Sequence, residues 1–325
     1  MPESREAHDE KPEATRAVIT RRAFLKYLLL TVGAALSAPF LPRPVFCAPR
    51  TIITRRIPRT DEHLPVIGMG TWQTFHVGSD TRLRDARTDV LRTFLKMGGG
   101  MVDSSPMYGS AEQVLGYTLE RIDDSSSLFS ATKIWTPFTG QGISQIMDSH
   151  EYWGLEQFDL LQVHNLLNWE KHLETLLEWK SLGLTRYVGI TTSHGRRHDL
   201  FEKVMTTAPI DFVQFTYNIV DRAAEDRLLP IARERELGVI INRPFQGGQL
   251  FPRFEKLPLP AFAKTFDCRN WAQFFLKFIV SHPAVTCAIP ATSRVDHMIE
   301  NMGALEGRLP DEGERRMMIQ YIASL

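Results

Sequence analysis

The stretch Gly98-Gly99-Gly100-Met101-Val102-Asp103-Ser104-Ser105-Pro106-Met107-Tyr108-Gly109-Ser110-Ala111-Glu112 decides how the rest of the chain is read. A helix is predicted over Leu83–Met97, and the glycines that follow close it, since glycine enters the left-handed conformation at no steric cost. Met101-Val102-Asp103 reads as a short buried strand ending on a carboxylate, and a further helix is predicted over Ala111–Arg121. This strand–helix unit recurs in both directions. Strands are predicted at Val66–Trp72, Leu128–Ile134, Asp159–His164, Tyr187–Thr192, Phe212–Asn218, Gly238–Phe245 and Cys287–Thr292, with helical stretches between them.

Two of those helices are clear from spacing. Over 168–183, Trp169, Leu173, Leu176, Leu177 and the stem of Lys180 share a face, Asn168 is placed to cap the start and Gly183 ends it. Over 270–282, Trp271, Phe274, Phe275, Phe278 and Ile279 keep helical spacing. Strict alternation of strand and helix predicts a parallel sheet, and eight units in about 270 residues match the closed (β/α)8 TIM barrel in size. An open doubly wound sheet is the competing α/β architecture. No Gly-x-Gly-x-x-Gly follows the first strand, which weakens it. The Pro-containing stretch Leu250–Phe266 is too long for a plain connection and reads as a covering loop or a surface excursion, and Asp311–Leu325 reads as a final amphipathic helix.

Composition bounds the function classes. The 325 residues balance 38 Lys and Arg against 38 Asp and Glu, so the chain lacks the basic excess that holds nucleic acid or anionic lipid. Three cysteines (Cys47, Cys268 and Cys287) exclude a disulfide-built scaffold and a four-cysteine zinc site, and Cys268 and Cys287 are expected as buried thiols. The first 48 residues are expected to lie outside the barrel, which then occupies 49–325. Residues 1–18 are polar. Arg21-Arg22-Ala23-Phe24-Leu25-Lys26 precedes an apolar run from Tyr27 to about Leu41 that is too short for a stable membrane span. A basic stretch, an apolar run and small residues in that order form an export signal, and the paired arginines with Phe, Leu and Lys resemble the twin-arginine type. The expectation is export to the periplasm through the twin-arginine machinery. A chance Arg-Arg pair in a buried helix is the plain alternative, and no cleavage site is well defined.

In such a barrel, chemistry gathers where the strands end. Asp103, Lys133 and His164 end successive strands, and Tyr108 lies in the loop beyond Asp103. Singly, each has an ordinary explanation: a turn residue, a solvated charge, a packed ring. At successive strand ends they can share one mouth and make a proton donor. A free tyrosine, with a pKa near 10, exchanges protons slowly near neutrality. A neighbouring Lys133 ammonium is expected to lower that value, Asp103 to hold the lysine charged, and His164 to hydrogen-bond a substrate oxygen. No metal is required, and no Cys/His spacing suggests one.

The stretch 98–112, with Ala131-Thr132-Lys133-Ile134-Trp135 and Leu161-Gln162-Val163-His164-Asn165, resembles the aldo/keto reductase family in order and spacing from about Ile67 to Ala304. The resemblance implies a barrel that binds NADP(H), or NAD(H), in extended form. It implies Tyr108 as general acid, Asp103 and Lys133 tuning it, and His164 orienting the carbonyl. It places Gly70, Thr71, Thr191, Thr192, Gln214, Arg243, Gly247, Gly248, Arg294, Glu300 and Asn301 against the cofactor, and Trp72, Trp135, Asn165 and the aromatics near Phe138 at the substrate pocket.

The chain departs from the family pattern at several of these positions. Thr191-Thr192 stands for a Ser-Asn pair, Asn242 for the aromatic that stacks on the nicotinamide, Ala291-Thr292 for a Lys-Ser pair and His297 for an arginine. Arg294 is the guanidinium left to meet a 2′-phosphate, which favours NADP(H) over NAD(H). Two functions follow: a reductase of small aldehydes or ketones with Tyr108 as proton donor, or a nucleotide-binding sensor or partner-binding barrel that turns over little.

Overall fold

A computed structural model describes residues 51–325; the expected export signal and leader lie outside the described residues. An antiparallel pair, β1 (Thr54–Arg56) and β2 (His63–Pro65), comes first. Eight parallel strands then run in chain order: β3 (Met69–Gly70), β4 (Met101–Asp103), β5 (Phe129–Ile134), β6 (Phe158–Val163), β7 (Thr185–Thr191), β8 (Phe212–Thr216), β9 (Gly238–Asn242) and β10 (Cys287–Ala288). The ring closes between the last strand and β3. The Gly68 N–H donates to the Ala288 carbonyl at 2.8 Å, the Ala288 N–H to the Val66 carbonyl at 2.9 Å and the Gly70 N–H to the Pro290 carbonyl at 3.0 Å. Gly68 permits that seam, because a Cβ there would lie 2.9 Å from the Met101 carbonyl oxygen and 3.0 Å from the Cys287 sulfur. This is the closed (β/α)8 barrel expected from the alternation of elements.

The strand period of two decides what faces inward. Met101, Phe129, Ala131, Leu160, Phe212, Ile240, Cys287 and Ile289 form an inner apolar cluster. The intervening residues, among them Val102, Leu161, Val188, Val213 and Val239, pack outward with the helices in a second, larger cluster. Continuing the inward parity toward the strand ends reaches Asp103, Lys133, Gln162, Thr191, Gln214 and Asn242. The interior therefore changes from hydrocarbon to a polar layer along its axis.

Three elements differ from the sequence expectation. The β1–β2 hairpin is one, and its Ile57 and Leu64 join the inner cluster beside Met101, Phe129 and Phe212. Burying two such aliphatic side chains stabilises the closed end by about 1.5–3 kcal/mol each. Asn168 stands before the helix Trp169–Ser181 but makes no capping hydrogen bond. Its backbone is left-handed (φ 46°), and its side-chain amide points to Thr139 Oγ1 at 3.5 Å. The 250–266 stretch forms a short helix, Leu250–Phe254, and a 3-10 turn, Ala261–Phe266, whose Phe254 and Phe266 are fully buried.

The helix Trp271–Val280 is buried on every side, and the last helix, Glu312–Ala323, starts on a capping box between Asp311 and Glu314. Cys268 and Cys287 are both buried free thiols, as expected. Among the described residues no helix is long and apolar enough to cross a membrane.

Candidate active site

Asp103 ends β4 and is the hub of the polar layer. Its Oδ2 accepts from Lys133 Nζ at 2.5 Å, and its Oδ1 accepts from Gln214 Nε2 at 2.9 Å and Gln162 Nε2 at 3.1 Å. Lys133, on β5, is wholly buried and gives a second hydrogen bond to the Ser104 carbonyl at 2.6 Å. Burial pulls this lysine below the usual ammonium value, while Asp103 and then Glu112 oppose the fall.

Glu112 lies in the first turn of the helix Ala111–Leu119 and is itself buried. It accepts from Thr132 Oγ1 at 2.6 Å, Ser149 Oγ at 3.0 Å and Trp153 Nε1 at 3.1 Å. Burial raises its carboxyl above the ordinary value, against those three donors. Two buried carboxylates thus flank one ammonium.

Tyr108 ends the one-turn 3-10 helix Pro106–Tyr108. Lys133 Nζ sits 5.2 Å from the centre of its ring, and the His164 imidazole meets it edge-on with centroids 5.9 Å apart. The expectation that Lys133 lowers the phenol pKa is corrected here. The pKa is raised well above the ordinary tyrosine value, first by burial and then by the carboxylates of Asp103 and Glu112. Burial and these two carboxylates leave phenolate the disfavoured form, while the hydrogen bonds of the ammonium go to Asp103 and Ser104. His164 follows β6. Burial and the Lys133 charge hold it well below the usual histidine value, so the ring is neutral, and its Nδ1 lies 2.9 Å from Ser105 Oγ.

These side chains open into a cavity of about 430 Å3 at the strand ends. Asp103, Tyr108 and His164 line it, as do Gly70, Thr71, Trp72, Asn165, Thr191, Thr192, Gln214, Arg243, Gly247, Gly248 and Arg294. Glu300 and Asn301 line a second cavity that shares Phe245, Phe251, Ala291, Thr292 and His297 with the first, so the two adjoin. Trp135 and Phe138 depart from the expected pocket: neither lines the cavity, and they are 42% and 62% exposed. The Trp135 backbone is pinned on both sides by Gln145, whose side chain accepts its N–H at 2.8 Å and donates to its carbonyl at 2.9 Å.

The cavity offers charge and backbone suited to a phosphate-bearing ligand. Arg243 places its guanidinium 5.9 Å from the Trp72 ring centre, and no hydrogen-bond acceptor among the described residues holds it. Gly247 (φ 66°) and Gly248 (φ 92°) adopt backbone conformations that a side chain would strain, with nothing within 4 Å of a Cβ at Gly248. Arg294 is committed to Asp296 through two hydrogen bonds on the surface. Asn242, at the position of the expected aromatic, donates to the Thr192 carbonyl at 2.9 Å and accepts from Thr216 Oγ1 at 2.7 Å, so this position supplies amide contacts in place of a stacking ring.

Three residues that sequence reasoning left without a role belong to the site: Ser105, Glu112 and Gln162. Gln162 was findable by parity, since it sits two residues before His164 on the inward face of β6. Nothing in the spacing signals Ser105 or Glu112.

The chain is similar to known proteins. The chain is 24% identical over 193 residues to the aldo-keto reductase YhdN of Bacillus subtilis, a match covering 54% of this chain and 56% of that protein. The chain thus spans little over half the length of that relative. It is 23% identical over 227 residues to the NADH-specific methylglyoxal reductase of Escherichia coli, covering 59% and 67%. A Klebsiella pneumoniae aldo/keto reductase solved with NADP and acetate superposes with a TM-score of 0.69 at 20% identity, over 84% of this chain and 95% of that one. Residues 66–318, most of the described barrel, match the profile of the aldo/keto reductase family, and the chain belongs to that family.

Proposed function

We propose that this protein is an NADPH-dependent reductase of small aldehydes or ketones, with Tyr108 as the proton donor. The observation that carries this reading is the convergence of Tyr108 and His164 on one cavity, with the Asp103–Lys133 pair fixed beneath them. The cavity residues fit a dinucleotide. Gln214, Thr191, Thr192 and Asn242 present amide and hydroxyl groups at the barrel mouth, Arg243 with Gly247 and Gly248 suits the pyrophosphate, and Glu300 and Asn301 in the adjoining cavity suit the adenosine end. When bound, the reduced nicotinamide supplies the hydride.

The chain's own groups do the rest. Neutral His164 donates a hydrogen bond to the carbonyl oxygen and aims it at the Tyr108 hydroxyl. The raised pKa of Tyr108 keeps the proton on the phenol until negative charge builds on the substrate oxygen, and an alkoxide is far more basic than a phenolate, so transfer then runs downhill. Lys133 holds a positive charge beside the ring as the proton leaves, and Asp103 holds Lys133. NADP(H) over NAD(H) rests on Arg294, which lines the cavity and would exchange its surface pairing with Asp296 for a 2′-phosphate; the NADP complex of the Klebsiella enzyme supports it, whereas the Escherichia coli relative is described as NADH-specific.

Loss of NADPH absorbance with a panel of simple carbonyls tests the reading. Tyr108→Phe should abolish turnover and leave nucleotide affinity intact, and tight nucleotide binding with no turnover by the unaltered chain would favour the sensor instead. We further propose export through the twin-arginine pathway with cofactor loaded beforehand, supported by Arg21-Arg22 and the apolar run after them. Replacing both arginines by lysine should retain the protein in the cytoplasm. Nucleotide-free exported protein would refute the loading.

A further inference from the structure

We infer that Ser105 is a positioning residue that selects the reactive tautomer of His164, an inference that rests on the reductase reading above. A neutral imidazole carries one N–H, and only the form protonated at Nε2 can donate to a carbonyl oxygen in the cavity. The other form would aim a lone pair at that oxygen and repel it. Whatever bonds Nδ1 makes the choice.

The hydrogen-bond census around Ser105 makes it. The residue is wholly buried, and its Oγ has two partners. The Met107 backbone N–H donates to it at 3.2 Å, and His164 Nδ1 lies 2.9 Å away. The Met107 N–H is a donor only, so it cannot take the hydroxyl proton. His164 Nδ1 is the one acceptor left. If Nδ1 carried the proton instead, Ser105 would accept twice and its own hydrogen would be buried without a partner, an arrangement folded proteins avoid. The hydroxyl therefore donates to Nδ1 and the ring proton is on Nε2, which bonds no described residue and so is left for a ligand in the cavity that His164 lines.

The same oxygen caps the one-turn helix that carries Tyr108. One side chain thus ties the position of the proton donor to the donor character of the carbonyl-orienting ring. Asp103 and Lys133 do not touch Nδ1, so Ser105 acts through His164 and not on the substrate.

The test is nitrogen NMR of the full chain labelled with 15N-histidine, with His164 assigned by its loss in His164→Gln. In the unaltered protein at neutral pH, Nδ1 should resonate in the unprotonated-nitrogen range and Nε2 in the protonated range. Ser105→Ala should give a mixture of tautomers and lower kcat/KM for a carbonyl about tenfold, chiefly through kcat, with NADPH affinity within about twofold. A protonated Nδ1 in the unaltered protein overturns the inference, and so does Ser105→Ala with unchanged spectrum and turnover. The spectrum of the unaltered chain decides the matter even where Ser105→Ala does not fold. Failure of that chain to oxidise NADPH with any carbonyl would instead sink the reductase reading and leave the tautomer result standing.

Discussion

Replacing Lys133 by Met and Asp103 by Asn, singly and together, tests whether the buried pair at the barrel mouth behaves as one electrostatic unit. The two groups meet at 2.5 Å, and their side chains are 0% and 2% exposed, so solvent screens neither. Removing one partner strands the other charge in the interior, at a cost of about 3–5 kcal/mol of folding free energy for each single change. In the double variant neither member of the pair leaves an orphan charge, and Glu112 loses the nearby ammonium in the lysine single and in the double alike. The amide introduced by Asp103→Asn still offers an oxygen to Gln162 and Gln214, and Glu112 keeps its three donors. The chief loss is then the two hydrogen bonds from Lys133, about 1–3 kcal/mol in all. The coupling energy should exceed about 3 kcal/mol. Urea unfolding of nucleotide-free protein, followed by circular dichroism at neutral pH, measures it. Single-variant losses that add to within about 0.5 kcal/mol would show that the groups do not share a buried site, and the electrostatic reasoning would fail.

Arg243→Ala should weaken NADPH binding about 10–100-fold, the worth of a charged hydrogen bond to phosphate; unchanged affinity by fluorescence titration would remove Arg243 from the cofactor site. His282 is held at about 4, mainly by burial and then by Arg315, against 6.5 in the unfolded chain. Between those values the unfolded chain binds a proton that the native ring refuses, so stability is complete above about pH 6.5 and falls as pH drops toward 4, by at most about 2 kcal/mol after solvent screening. His282→Gln should flatten that slope in urea titrations, and an identical slope would refute the assignment. Burial pushes the Cys268 thiol up to about 12 and Cys287 higher still. At pH 8 only about one Cys268 in 10,000 is thiolate. Peptide mapping after iodoacetamide treatment should find both cysteines unlabelled until denaturant is added, and labelling of either in native protein would contradict their burial.

The barrel is legible because each strand is short, apolar and bounded by glycine or polar residues, and because eight such runs alternate with helical spacing. The hairpin at 54–65 is not. Arg55, Arg56, Pro58 and Arg59 mask the two aliphatic residues that enter the barrel, and no alternation survives to signal a strand. Strand ends locate Asp103, Lys133 and His164, since order along the chain becomes adjacency around a parallel barrel. Partnership and burial are another matter. Proximity in the mouth predicts that Lys133 acidifies Tyr108, but its hydrogen bonds go to Asp103 and Ser104, and two carboxylates reach the phenol as well. Trp135 follows a strand just as His164 does, yet Gln145 secures its backbone and the ring stays outside the cavity. Such outcomes depend on side-chain partners far apart in sequence, which spacing does not encode.

The two tiers inside the barrel have a consequence for how this protein can change. Phe129, Leu160, Phe212 and Ile240, with Ile57 and Leu64, form an apolar foundation distinct from the polar tier of Asp103, Lys133 and His164. Mutational drift at Ala291, which is exposed at the cavity, can retune what the mouth accepts without touching the foundation, whereas Thr191 and Asn242 are tied into the polar layer by their own hydrogen bonds. Lineages carrying this fold can therefore explore new substrates at the rim with little risk to the tube that supports it.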